Sequence, residues 1–207
     1  MPANLLDIIK NRRSVKECSS KEVPNNVLSR ILEGARWAPS AHNAQPWHFI
    51  VIRDSAVRKR LANEMASLWD KDMSRNGILK ERRERLVENS VQQFGNSPII
   101  IVACLTKGEM DDYPDEQRKK AEDIMGVQSV AAAIQNMLLI AHDEGLGACW
   151  FCAPLFCQNI VRRVLKIPQY VDPQALITLG YPTANPDPPP RKSLEEIVDQ
   201  DCWRRTP

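Results

Sequence analysis

Pro98-Ile99-Ile100-Ile101-Val102-Ala103-Cys104 decides the fold. After the proline the run has no polar break, and β-branched side chains suit extended backbone. A strand without a polar face has no side to turn to water, so this one is expected to be buried on both faces. Downstream, the longest helical pattern covers roughly residues 122–144, and Gly145 stands where a C-terminal cap belongs. Ser129, Ala132, Ala133 and Asn136 line one stripe of that helix. Small groups let a second helix approach closely, so this helix is expected at the centre and its stripe as a close-packing surface. A short strand follows at 147–152, a helix at 158–165 and a last core strand at 175–180.

Upstream, Leu5, Leu6, Ile8 and Ile9 predict a helix ending near Arg12. Pro24 opens a second helix, in which Val27, Leu28, Ile31, Leu32 and Ala35 recur at helical spacing. Ala38-Pro39 stops it, residues 40–46 are rich in turn formers, and 47–52 read as a strand. Asp54 or Ser55 can cap the next helix. Residues 64–96 are highly charged and helical in pattern, with Gly77 as a break; the run 81–85 reads as a solvated face, and the whole is long enough to form a lid. Residues 106–117 read as a polar loop. From Pro182, five prolines make an extended arm over 182–207, and Ser193 can cap a final turn. No repeat and no linker divides the chain. Strands alternate with helices in one mixed domain, 1–207.

Composition narrows the function. The 207 residues are 43% hydrophobic and 26% charged, which excludes disorder as the dominant state. A net charge of +2 is too small to argue for nucleic acid. No run of 18 apolar residues occurs, so no membrane span is expected, and the first thirteen residues do not read as a signal peptide. Six cysteines without a secretory segment predict free thiols in a reducing compartment, the cytoplasm. Cys149, Cys152 and Cys157 have a spacing that invites a metal reading. Their flanks are apolar and no fourth ligand cluster is near, so buried cysteines on a strand and turn are preferred and no metal site is expected.

Two segments carry polar chemistry. Arg12-Arg13-Ser14-Val15-Lys16 gathers three cations and a hydroxyl just after a helix, a set suited to a phosphate and an electron-rich ring. Taken alone, a solvated basic turn accounts for it at least as well. Between Pro39 and Trp47, Ser40, Asn43 and Gln45 stand on irregular backbone where hydroxyl and amide groups can read a heterocycle's edge. Turn chemistry accounts for them equally.

Four segments then stand in register: 12–16, the Pro39-Ser40…Asn43…Gln45-Pro46-Trp47 loop, Gly145-Leu146-Gly147-Ala148-Cys149-Trp150, and the tail from Arg191 through Leu194-Glu195-Glu196. In this order they resemble the flavin-dependent nitroreductase family, over about residues 5–198. Tyr113-Pro114-Asp115, Ala153-Pro154-Leu155-Phe156 and the proline-rich tail are similar to a branch that includes the flavin domain of some deazaflavin-cofactor glutamyl ligases. The resemblance implies an α+β fold, a mixed β-sheet flanked by helices, with a C-terminal arm embracing the partner of a homodimer. It implies bound FMN: Arg12 at the phosphate or ribityl chain, Arg13 adding a phosphate or backbone contact, Ser14 in the same cradle, Lys16 near the pyrimidine end of the ring. Arg191 is implied as a second phosphate ligand. Pro39, Ser40 and Asn43 would come from the other subunit, the backbone at Cys152 and Ala153 would face the reactive flavin nitrogen, and Asn89 matches a ring-contacting asparagine across a variable region. Two positions depart from the pattern: many relatives have glycine or an acid at Cys152-Ala153, and an aromatic at Cys18.

The implied activity is an oxidoreductase that passes electrons from NADH or NADPH to a nitroaromatic, quinone or related small acceptor by a ping-pong cycle. Its rivals are another flavin reaction on the same fold (dehalogenation, flavin ring cleavage, deazaflavin-precursor reduction), a non-enzymatic flavin-binding protein, and a cysteine-metal protein.

Overall fold

A computed structural model of the chain describes residues 4–203. Four strands form one sheet: β1 (Trp47–Ile52), β2 (Ile99–Leu105), β3 (Gly147–Phe151) and β4 (Asp172–Gly180), in the spatial order β1-β2-β4-β3. Neighbours in this sheet are antiparallel, with Ile101 opposite both Val51 and Ile177. A parallel element enters only at the edge, where Ser14 bridges to Ala148. The α+β class expected from the sequence is the one observed.

The unbroken apolar run of β2 has a direct cause. Every residue of β2 is buried, because helices cover both faces of the sheet. On one face Ile99, Ile101, Ala103, Ile177 and Leu179 pack with α2 (Asn25–Arg36) and α5 (Glu116–Asp143). On the other, Ile100, Val102, Cys104 and Leu176 pack with α3 (Ser55–Arg75), Phe94 of α4 (Lys80–Asn96) and α6 (Gln158–Leu165). The charged stretch 64–96 therefore contributes to the core through Met65, Ala66, Met73 and Phe94. Gly77, at φ +74°, makes the break between its two helices. Within the 81–85 run, only Arg83 turns inward, donating to Asp70 at 2.9 Å and to the Ile78 carbonyl at 3.0 Å.

α5 is the central helix. It starts earlier than the apolar pattern indicates, because Asp115 caps it by accepting from the Arg118 N–H at 2.9 Å and holding the Arg118 guanidinium as well. The first two turns are polar, so periodicity does not announce them. The small-residue stripe is used within the chain. Asn136 Nδ2 donates to the Gly34 carbonyl at 3.0 Å, and a Cβ on Gly34 would stand 2.7 Å from Ile140 Cγ1. Arg30 and Glu144 pair at the end of the same contact. The most apolar 18-residue window of α5 has a mean hydropathy of 1.6, enough by length and composition to cross a membrane. Here its apolar positions serve the core, with Val130, Ala133, Ile134, Met137 and Leu138 all buried.

Candidate functional site

The cation segment is held against the edge strand. α1 (Leu5–Asn11) ends at Arg12, whose N–H reaches the Ile8 carbonyl at 3.0 Å. The chain then runs parallel to β3: Val15 N–H donates to the Ala148 carbonyl at 3.0 Å, and further on Ser19 N–H donates to Tyr181 at 2.8 Å. Two glycines make this possible. Gly145, at φ +72°, turns α5 into β3, and Gly147 leaves room for Val15, whose Cγ1 would stand 2.6 Å from a Cβ built there. Gly147→Ala is expected to destabilise the fold by about 1–3 kcal/mol through overpacking. In a Val15→Ala background the same change costs much less, which a double-mutant cycle by urea denaturation measures. Equal costs in the two backgrounds would place the strain elsewhere.

Parallel alignment gives the segment a direction. Arg12 lies at one end, Ser14 opposite Ala148, and Lys16 toward the end where β3 gives way to a 3-10 turn (Ala153–Phe156). Four extended steps span ~13 Å. Cys152 is exposed and Ala153 half-buried at that far end. At the near end the exposed tail carries Arg191 within electrostatic range of Arg12. The Arg12 guanidinium is pushed below its ordinary range, first by burial, then by Arg191, with Arg13 adding to it. Among the described residues the opposing influence is the Cys149 thiol, and no carboxylate of those residues acts on Arg12. Arg13 is braced on its own turn, donating to the Lys10 and Arg12 carbonyls at 2.7 and 2.9 Å. Arg12 and Arg13, with Asn11, His142, Pro182 and Asn185, line a cleft of about 160 Å³.

Cys149 lies near enough to Ser14, Lys16 and Arg12 to feel all three, a neighbour that reading the sequence did not assign to this cradle. Burial raises the Cys149 thiol above its usual range, against the lowering effects of Lys16, Ser14 and Arg12. The three downstream cysteines do not converge: Cys149 faces Ser14, Cys157 Sγ donates to the Ala153 carbonyl at 3.3 Å, and Cys152 is exposed. Burial holds Cys18 and Cys157 up at about 11 and Cys104 at about 12, so these carry almost no thiolate at pH 8. Only Cys152 and Cys202 are exposed. An aromatic disulfide reagent at pH 8 is expected to modify those two promptly, the part-exposed Cys18 more slowly, and buried Cys104, Cys149 and Cys157 only after unfolding. Prompt reaction of more than three thiols would contradict the burial.

The second loop lies elsewhere in the same chain. Pro39 and Asn43 are exposed and Ser40 half-buried. Ser40 Oγ accepts from the Gln45 N–H at 3.0 Å, and Ser129 Oγ of α5 accepts from the Ala41 N–H at 3.3 Å. His42, Asn43 and Gln45 all adopt left-handed backbone, at φ +53°, +55° and +48°. Such conformations cost energy outside glycine and persist only when the surroundings impose them. The loop meets α5 at Ser129, whereas Arg12 shares its cleft with His142. Thirteen helical residues separate these points by about 20 Å. One chain therefore does not bring Ser40 and Asn43 to Arg12. Asn89 is exposed on α4, which packs on α3.

The chain that carries this cation segment has known relatives. The sequence profile described as "Nitroreductase family" matches residues 9–181. A protein of Methanothermobacter thermautotrophicus, provisionally named NADH dehydrogenase/NAD(P)H nitroreductase, is 31% identical over 189 residues, covering 88% of this chain and 80% of its own. The Bacillus subtilis protein YfhC, provisionally named an NAD(P)H nitroreductase, is 25% identical over 192 residues, covering 93% and 91%. Among solved structures, a Desulfovibrio desulfuricans protein described as a nitroreductase in complex with FMN superposes with a TM-score of 0.73 at 23% identity, covering 99% of this chain and 100% of its own. The Vibrio harveyi NADPH:FMN oxidoreductase complexed with NAD+ gives 0.75 at 18% identity, covering 99% and 80%. The two structures share the fold. The chain belongs to the nitroreductase family.

Proposed function

We propose that the chain is an FMN-dependent oxidoreductase that takes electrons from NADH or NADPH and passes them to a nitroaromatic, quinone or related small acceptor. The observation that carries this reading is the cleft lined by Arg12 and Arg13, with the Arg191 charge near enough to depress the Arg12 guanidinium and no carboxylate of the described residues offsetting it. That donor set fits a phosphate dianion. Bound FMN supplies two-electron redox chemistry. The chain's own groups supply the rest. Arg12 and Arg191 would hold the phosphate, Arg13 stiffens the turn that carries Arg12, and Ser14 would serve the ribityl chain. Lys16 sets a positive charge at the pyrimidine end, where it raises the electron affinity of a bound ring. The backbone at Cys152 and Ala153 faces the reactive nitrogen. Donor and acceptor use the same face in turn, so no dedicated acid–base pair is required. The exposed turn carrying Leu79, between α3 and α4, is the part of 64–96 available as a lid.

Each site is built from two copies, with Pro39, Ser40 and Asn43 of the partner subunit completing it. The 20 Å separation along α5 supports this, as does the apolar surface left open. Leu5, Leu6 and Ile9 are exposed on α1, which buries no residue, and Ile124 and Val127 are exposed on α5. Leu194, Ile197 and Val198 are exposed on the tail, which reads as an arm around the partner. Obligate interfaces of this kind bury over ~2,000 Å². The free thiols suit a cytoplasmic setting.

The test is the visible spectrum of the purified protein, then anaerobic addition of NADH or NADPH. Flavin bands that bleach with a donor and return with a nitroaromatic or quinone are expected. A colourless protein that takes up no FMN overturns the reading. A yellow protein that neither donor reduces is a flavin-binding protein and not this enzyme.

A further inference from the structure

We propose that His42, Asp111 and Glu122 form a site for one first-row divalent cation, of which zinc is the type, tying the strained 40–45 loop to the second turn of α5. Glu122 is the point of departure. Its side chain is only 6% exposed. Oε1 accepts from the Asp111 N–H at 3.2 Å, while Oε2 is wholly buried and has no hydrogen-bond partner. A buried carboxylate oxygen without a partner is a costly arrangement that calls for an explanation.

What Oε2 faces supplies one. His42 Nε2 stands 4.0 Å from it and 3.9 Å from Asp111 Oδ2, and the three ligand atoms all lie within 4.8 Å of one another. These separations are too long for hydrogen bonds. They leave a point about 2.5 Å from all three atoms, and small torsional adjustments bring that to the ~2.0–2.2 Å of zinc–nitrogen and zinc–oxygen bonds. The nearby cations are engaged elsewhere: Lys107 with Asp123 at 2.6 Å, Lys119 with Glu116 at 3.7 Å, and Arg118 with Asp115. Two carboxylates therefore converge on an imidazole with no cation of the described residues between them, and the Tyr113 hydroxyl donates to Asp111 Oδ2 at 3.4 Å from the outer side. An imidazole in the set favours a transition ion over magnesium or calcium. His42 and Asp111 are 52% and 58% exposed, so the outer positions are open to water.

The cation would join three separate stretches of chain. His42 belongs to the left-handed turn, Asp111 to the loop before α5, and Glu122 to α5 itself. His42, Asp111 and Glu122 are not among the residues assigned to FMN, and the zinc measurement does not require flavin, although His42 shares its loop with Ser40 and Asn43.

The test uses the full chain as purified, treated with a chelator, and titrated with zinc chloride by calorimetry. One zinc per chain is expected in the wild type beyond whatever Glu122→Gln takes up. His42→Ala is expected to show the same deficit, with affinity weaker by at least about tenfold. Zinc held by exposed thiols is common to all three proteins and cancels in the difference. Zinc should also raise the wild-type melting temperature and leave that of His42→Ala unchanged. Should Glu122→Gln fail to fold, the exposed His42→Ala and Asp111→Asn changes carry the comparison alone. Equal zinc uptake by the wild type and the variants overturns the site. So does a wild type that takes up no zinc.

Discussion

Coexpressed protomers carrying Arg12→Glu and Asn43→Asp are expected to form a heterodimer that holds one flavin, while each parent homodimer holds essentially none. The reasoning is geometric. If a site joins Arg12 of one chain to Asn43 of the other, the heterodimer pairs the two altered groups at one site and the two native groups at the second. Glutamate at position 12 removes a phosphate-binding charge and adds a repelling one. Aspartate at position 43 keeps a residue type that tolerates the left-handed backbone there. If instead both groups served the same chain's site, every site in the heterodimer would carry one lesion, and no flavin would be recovered. Affinity tags on the two protomers and the flavin-to-protein absorbance ratio separate these outcomes. A flavin-free heterodimer would sink the shared-site reading while leaving the fold untouched.

Arg191→Ala is expected to weaken FMN binding by roughly tenfold to more than a hundredfold, the equivalent of the 1.5–3 kcal/mol of a charge-assisted contact. The residue is exposed on an extended arm and contributes nothing to either core cluster, so folding should be unaffected. Its removal also relieves the like-charge pressure on Arg12, so the apoprotein should be no less stable than the wild type. Riboflavin lacks the phosphate and should bind both proteins about equally. FMN held as tightly by the variant as by the wild type would refute the assignment. A matching fall in riboflavin binding would move Arg191 from the phosphate to the ring or the fold.

The strands and most helices were legible in the sequence because each had a local cause. The residues expected at 47–52 and 158–165 are those observed in β1 and α6, since apolar periodicity and a flanking breaker agree there. α5 was legible only from its first apolar face onward. Its opening turns depend on the Asp115 cap, which a polar segment does not advertise. The expected use of the Ser129–Asn136 stripe was right in kind, but the helix that approaches is α2 of the same chain. At the site, Arg12, Ser14 and Lys16 lie within five residues and could be read together. Their link to Arg191 comes from the resemblance, because the 174 residues between Lys16 and Arg191 carry no spacing signal. Cys149 and the His42–Asp111–Glu122 group escaped for a related reason. Their members meet only through tertiary packing, and each alone looks like an ordinary residue of its loop or helix.

α5 also sets a limit on how this chain can change length. The loop at Ser129 and the cleft at His142 are carried by one uninterrupted helix. A single inserted residue between them would turn everything beyond it by about 100° and advance it by about 1.5 Å. Gly145, Gly147 and the segment laid beside them would then point away from the surface they now share with the sheet. Substitutions along α5 can be absorbed one side chain at a time, but an insertion or deletion cannot. Length variation during divergence is thus expected to collect in 106–114, where no helical phase is disturbed, and to be absent between 129 and 142.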